Sequence, residues 1–406
     1  MTPYRPIKTI HKLATNRRIL LLQGPIGRFF VQLSDWLNQQ GCTVYKINFN
    51  GGDEWFYPNA RDNTFTYTQS LDDFGDYLTA FVAQHGIDAV ACFGDTRAYH
   101  RIAKSICAKN NISFWAFEEG YFRPDWIVLE EHGVNAYSQL PRVGAFFVSQ
   151  AANLTLQDMV YQKMQPKFRH AASCAMQYYA AMKWRQKRYP FYQHHRATSL
   201  AYYTAAWLRS GWRKLWFAWR EAKIVQQIQQ SSLQPFFVFP LQVATDSQIK
   251  THSQYTSVRD ALLHVLASFA VNAPADCHLI VKHHPMDRGF IDYAKTIRQF
   301  IAQHPNVVGR IVYVHDIPLP VLLRKARGVV TINSTSGLSA LVHGLPVKVL
   351  GRAAYDIPSI TSHQPLSHFW RNPQLPDAVL FNAYRRYHLY CTHINGYYYT
   401  QTHFPS

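Results

Sequence analysis

Short unbroken apolar runs alternate with amphipathic helical stretches along this chain, and that alternation restricts it to a doubly wound α/β fold with parallel sheets. Ile19-Leu-Leu-Leu-Gln23 reads as a buried strand that leaves through Gly24-Pro-Ile-Gly27. A helix over 29–40 and a return strand, Thr43-Val-Tyr-Lys-Ile-Asn48, follow before Asn50-Gly-Gly-Asp53. Ala89-Val-Ala-Cys-Phe93, a helix over 98–109 and a strand over 112–117 repeat the pattern. A second series starts at Phe236-Phe-Val-Phe-Pro240 and continues with strands at Leu279–Lys282, Ile311–Val314, Gly328–Asn333 and Val347–Leu350.

Between the two series, residues from about 154 to 230 carry no strand punctuation and read as helices rich in Trp, Arg and Lys, as in Trp184-Arg-Gln-Lys-Arg-Tyr189 and Trp207–Arg220. The expected organisation is therefore an N-terminal Rossmann-like domain over 1–150 and a basic aromatic helical segment over 151–232. A second, C-terminal Rossmann-like domain over 233–365 and a tail over 366–406 that returns towards the first domain complete it. Two such domains with a cleft between them make a GT-B-like architecture.

Lys and Arg outnumber Asp and Glu by 42 to 24, a net charge of +18, so an anionic partner is expected. The basic aromatic helices suit the headgroup region of an anionic membrane, or else pack their aromatics on the sheet domains and turn their bases to water. Nucleic acid ranks last, because no recognisable RNA or DNA module accompanies them. No run is apolar and long enough to span a bilayer, and the N-terminus lacks a signal-peptide core. Six scattered cysteines without Cys-x-x-Cys spacing read as reduced core thiols of a cytoplasmic protein.

In open α/β sheets ligands bind outside the carboxyl ends of the strands, and polar clusters stand at those ends here. Phe117-Glu-Glu-Gly-Tyr-Phe-Arg-Pro124 delivers Glu118, Glu119 and Arg123 at the end of a strand, and Asp95 follows another. In the second series, Gln242, Asp246, Ser247 and Gln248 follow the strand ending at Pro240. A carboxylate at Asp246 can act as nucleophile or general base in sugar transfer, or can simply cap a helix. Lys282, His283 and His284 offer cations and a titratable group for a phosphate or sugar carboxylate. Two adjacent histidines without a third ligand do not make a zinc site, so no metal is expected. Ser334, Thr335, Ser336 and Gly337 open a helix through small hydroxyl residues, a pattern that binds phosphate. The P-loop lysine and GxGxxG spacing are missing, against an ATPase or dehydrogenase.

These residues, in this order, resemble the capsule polysaccharide biosynthesis family. The likeness runs from Leu21–Gly27 through Asn48–Asp53, Phe93–His100 and Phe117–Pro124, then through Pro240–Gln242, Asp246–Gln248, Lys282–Pro285, Asn333–Gly337 and Gly344–Lys348. It implies a retaining glycosyltransferase that moves β-Kdo from CMP-Kdo to lysophosphatidylglycerol and starts the poly-Kdo linker of a capsule, without a metal or other cofactor. On that likeness Asp246 is the nucleophile, His283 is a further catalytic candidate that binds donor carboxylate and phosphate with Lys282 and His284, Gln242 and Ser247 join the donor site, and Ser334 to Gly337 hold CMP. Glu118 or Glu119 serves the acceptor hydroxyl, with Gly24, Asp95, His100, Tyr121 and Arg123 on the acceptor side. The expected setting is the inner face of the inner membrane, with other capsule assembly proteins as further partners. The competing readings are a membrane-associated adaptor in capsule glycolipid export and a transferase for another CMP-linked acidic sugar.

Overall fold

The computed structural model describes residues 5–155, 161–164, 168–193, 200–230, 235–245 and 247–405. Among them, the first half of the chain supplies strands β1 (Arg18–Leu21), β2 (Thr43–Asn48), β3 (Thr64–Thr66), β4 (Ala89–Phe93), β5 (Ser113–Glu119) and β6 (Trp126–Glu131). The second half supplies β7 (Phe236–Pro240), β8 (His278–Lys282), β9 (Ile311–Val314), β10 (Gly328–Thr331) and β11 (Val347–Val349), and the tail adds β12 (His393–Asn395). The chain divides into two compact units, the first comprising Met1–Pro141, Phe146–Arg196 and Ala383–Ser406, the second Arg142–Ala145 and Ala197–Asn382. The basic stretch 151–232 is thus shared between the units, and the tail leaves the second unit after Asn382 to join the first.

The first unit is a seven-stranded sheet in the order β12-β6-β5-β4-β1-β2-β3. Its strands from β5 to β3 run parallel, as the alternation predicts, whereas β6 pairs antiparallel with β5 and β12 antiparallel with β6. The sheet is therefore mixed, not wholly parallel. Trp126-Ile-Val-Leu carries the β-branched and aromatic signal of a strand, and the turn between Glu119 and Trp126 is short enough to return it antiparallel beside β5. The core packs Phe29 and Leu33 of the Phe29–Gln39 helix against Ile19, Leu21, Trp115 and Phe117, with Tyr398 from the tail closing the same cluster. Gln32 bonds the tail twice, donating to the Thr400 carbonyl and accepting from the Thr402 amide.

The second unit is a five-stranded, wholly parallel sheet in the order β11-β10-β7-β8-β9. Its central strands are buried on both faces and read in sequence as near-continuous apolar runs. The Leu200–Gln229 helix packs on this unit through Ala206, Ser210, Phe217, Glu221 and Ile228. Phe217 stacks on His315 with ring centres 3.6 Å apart, and Glu221 accepts the backbone amides of His315 at 2.6 Å and Asp316 at 2.8 Å. The opposite face of the helix carries Leu208, Trp212, Leu215 and Trp219, between 63% and 78% exposed. At 100° per residue these four share an arc of about 60°, a continuous apolar stripe. The packing reading, with aromatics inward and bases towards water, holds among the described residues of this helix for Phe217 alone: Trp207, Trp212, Trp216 and Trp219 are exposed, and Arg209 and Arg213 bond inward to the carbonyls of Gly289 and Arg288.

Cys42, Cys92, Cys107, Cys277 and Cys391 are buried free thiols and Cys174 is partly exposed. No helix among the described residues is long and apolar enough to cross a membrane.

Candidate functional site

In the first unit, the strand order reverses direction between β4 and β1, and the loops leaving those two strands flank that switch point. Gly24 belongs there because a Cβ would stand 2.8 Å from the Phe30 ring, and Gly94 because its φ of +71° lies in the left-handed region. Glu118, at the end of β5, is half-buried and accepts the Glu119 amide at 3.0 Å. Burial outweighs that bond and the Arg123 charge, and the carboxyl is pushed up to about 7. A carboxyl so poised exchanges a proton near neutral pH, which is what a general base requires. Glu119 is equally half-buried beside it, and Arg123 is exposed.

Behind Glu118 lie two further buried acids. Asp95 accepts the Val134 amide at 3.0 Å and is raised by burial, and its other oxygen is buried with no hydrogen-bond partner among the described residues. Glu130, which the sequence reading passed over, is 3% exposed and is also pushed up to about 7 by burial. Its signal was its place on β6, whose pairing sets Glu130 beside Ala116.

Two expected acceptor-side residues turn out to serve the scaffold. His100 is fully buried, its Nδ1 on the Gly94 carbonyl, and burial lowers it to about 3, so it stays neutral. Tyr121 is 3% exposed; its amide donates to His393 Nε2 and its hydroxyl accepts the Asn135 amide at 2.8 Å, so it ties β12 and the 133–137 loop together.

Asn50-Gly-Gly-Asp53 holds a denser cluster than its sequence suggested. Asp53 accepts the Phe49 amide at 3.1 Å and the Tyr178 hydroxyl at 3.1 Å, with Gln23 Nε2 at 3.4 Å. Lys46 is buried beneath it and lowered to about 8 by burial, which the Asp53 charge opposes. Gly51 and Gly52 admit the Phe168–Trp184 helix: Cβ atoms there would lie 2.4 Å from the Ala181 carbonyl and 2.6 Å from the Tyr178 ring.

In the second unit the sheet reverses between β7 and β10, and the loops after those strands are joined there. Gln242 donates to Asn333 Oδ1 at 2.9 Å and accepts the Asn333 amide at 3.2 Å. Asp246 lies outside the described residues; a helix begins at Ser247. Asp287 accepts the Ala244 amide at 2.7 Å and so fixes the loop that leads to Asp246.

The Lys282-His283-His284 cluster differs from its expected form. Lys282 is buried, donates to the carbonyls of His283 and His315, and is lowered to about 8 by burial. His283 is 1% exposed and lowered to about 3, chiefly by burial and then by His315, so it is neutral and offers no cation to a donor. The Tyr313 hydroxyl accepts the Tyr293 amide and hydrogen-bonds His283 Nδ1 at 2.7 Å, which fixes the orientation of the ring. His284 is partly exposed and caps the next turn, its Nδ1 accepting the Met286 amide.

The serine turn is present, but its amides serve its own shape. Ser336 N–H donates to Ser334 Oγ, Gly337 N–H to the Ser334 carbonyl, and Ser334 N–H to Thr331 Oγ1. What the turn presents is hydroxyls: Ser334, Thr335 and Ser336 are partly exposed. Gly337 is required, since a Cβ would stand 2.3 Å from the Tyr355 hydroxyl. Among the described residues no group of three His, Cys, Asp or Glu could hold a metal ion.

Residues 88–399 match the family model described as capsule polysaccharide biosynthesis protein. The chain is 50% identical to the capsule polysaccharide modification protein LipB of Neisseria meningitidis serogroup B, over 97% of this chain and 94% of that one. It is 40% identical to the capsule polysaccharide export protein KpsS of Escherichia coli, over 95% and 98%. Among solved structures, the beta Kdo 2,7 transferase of Thermosulfurimonas dismutans KpsC aligns with a TM-score of 0.39 at 12% identity, covering 93% of this chain and 92% of that chain.

Proposed function

The chain belongs to the capsule polysaccharide biosynthesis protein family, and from that premise we propose that it is a retaining glycosyltransferase that moves β-Kdo from CMP-Kdo to a lysophosphatidylglycerol acceptor. The observation that carries the reading is Glu118, a carboxyl poised at about 7 at the carboxyl end of a sheet, where acceptor chemistry needs a base.

In the proposed reaction Asp246 attacks the anomeric carbon of Kdo and CMP leaves with the electrons of the broken C–O bond. The acceptor hydroxyl then attacks the same carbon, its proton passes to Glu118, and the Asp246 carboxylate is released, so two inversions give retention. Lys282 contributes a buried positive charge, His284 and the hydroxyls of Ser334 to Ser336 contribute polar contacts to CMP, and Gln242 orders the loop through Asn333. The exposed Leu208, Trp212, Leu215 and Trp219 stripe, with Arg209, Lys214, Arg220 and Lys223 on the same helix, supports attachment to an anionic membrane surface, where a lipid acceptor resides.

The test is mass spectrometry of products from CMP-Kdo and a fluorescent lysophosphatidylglycerol. Acceptor-dependent CMP release and a lipid heavier by one Kdo are expected, both abolished by Asp246→Ala in a folded protein. Transfer from CMP-sialic acid alone would move the assignment to another acidic sugar. No transfer from either donor would favour an export adaptor.

A further inference from the structure

Arg28, Arg185 and Arg188 line one cavity of about 780 Å³ in the first unit. Arg28 stands at the start of the Phe29–Gln39 helix, while Arg185 and Arg188 follow the Phe168–Trp184 helix. Trp55 and Tyr399 add aromatic walls. The cavity is therefore built from four separate stretches of chain, not from one loop.

Its charge is unbalanced. Glu54 is the carboxylate in the lining, and it already accepts from Arg188 Nη1 at 2.6 Å and from the Tyr189 hydroxyl at 2.9 Å. Arg185 Nη1 is 3.7 Å from the same carboxylate, beyond hydrogen-bond reach, and is buried with no hydrogen-bond partner among the described residues. The Arg185 side chain is 25% exposed and lies over the Trp55 and Trp184 rings, 5.8 and 5.4 Å from their centres, so its buried Nη1 is the donor left over; three guanidiniums against one carboxylate favour an anion, and planar forked donors match phosphate oxygens. The volume falls within the range of small-molecule sites and exceeds the needs of a bare ion. Burial, and after it the Glu119 carboxylate, push the Tyr399 hydroxyl up to about 12.

We propose that this cavity receives the phosphate ester of the acceptor, with Arg28, Arg185 and Arg188 on the phosphate oxygens and Trp55 against the glycerol. The inference rests on the acceptor being a phosphate-bearing lipid, as proposed above. Cys174 lines the cavity and is partly exposed, while the other five cysteines are buried, so it reports occupancy. The experiment measures N-ethylmaleimide labelling of Cys174 by intact mass, together with calorimetric affinities, for lysophosphatidylglycerol, monoacylglycerol and inorganic phosphate. Lysophosphatidylglycerol should slow labelling and monoacylglycerol should not. Arg28→Gln and Arg188→Gln should each weaken its affinity by about 10-fold or more, the worth of one charge-assisted bond. Equal protection by monoacylglycerol, protection by inorganic phosphate alone, unchanged affinity in both variants, or no binding in calorimetry would overturn the proposal. No sugar donor is present, so failure here leaves transfer from CMP-Kdo untouched, and failure of transfer leaves the binding result standing.

Discussion

The Tyr398 hydroxyl donates to the Glu118 carbonyl at 2.7 Å, so a residue of the tail holds the backbone of the residue proposed above as the base. Tyr398 is 2% exposed, and its ring meets Phe29 and Phe93 edge-on. Tyr398→Phe keeps the packing and removes the bond, leaving a buried carbonyl short of a donor. The expected cost is about 1–3 kcal/mol, read as a lower melting temperature, with transfer reduced beyond what the loss of folded protein explains.

Glu118 sets a pH dependence with a definite sign. A base must be deprotonated, so transfer should rise as pH rises through about 7. Glu118→Gln should flatten that limb and lower the rate by about 10²–10⁴-fold. Stability moves the other way: the raised carboxyl favours the folded state fully below the ordinary glutamate range, and that contribution disappears as pH rises through about 7. Calorimetric melting across pH 4–8, wild type against Glu118→Gln, separates the two effects; a rate profile that keeps its shape in the variant would exclude Glu118 as the base.

Glu119 should behave differently. Glu119→Gln is expected to impair transfer more than CMP binding, because the family likeness puts it with Glu118 as a candidate to serve the acceptor hydroxyl. Parallel measurement of turnover and CMP affinity decides the point, and an equal loss of both would move the segment to the donor side.

Gly289 fits beneath the Leu200–Gln229 helix with no room to spare: a Cβ would lie 2.0 Å from the Ala206 carbonyl. Arg209 and Arg213 donate to the carbonyls of Gly289 and Arg288 at the same contact. Gly289→Ala should therefore displace the helix and cost about 1–3 kcal/mol or more, visible in chemical denaturation.

The outer face of that helix should be dispensable for folding and needed at a membrane. Trp212→Ser with Trp219→Ser should keep the melting temperature and lose binding to vesicles containing phosphatidylglycerol. Wild-type binding should weaken as salt rises from about 0.1 to 1 M, where the Debye length falls from about 10 to 3 Å. Vesicle sedimentation measures both, and binding indifferent to both changes would rule out this face as the anchor.

The parallel strands were legible because burial on both faces forces continuous apolar runs, and Ala98–Lys109 emerges as the helix its pattern implied. β3 was not, since Thr64-Phe-Thr66 is a half-buried strand at the sheet edge with no apolar run. The position of the acids at strand ends could be read; their protonation could not. Whether His283 is a cation or a neutral buried ring depends on Tyr313 and His315, about thirty residues further on, and on how completely they exclude water. Likewise Gly51 and Gly52 look like a flexible loop in sequence, whereas a helix more than a hundred residues away requires them.

The tail strand has a consequence for synthesis. β12 covers the outer edge of β6, so during translation the first unit lacks its closing strand until residues 393–395 have left the ribosome. The second unit, whose strands lie between 236 and 349, is made in full before then. The half of the protein synthesised first is therefore the half completed last, and for that interval the nascent chain carries an open sheet edge that a chaperone would have to shield.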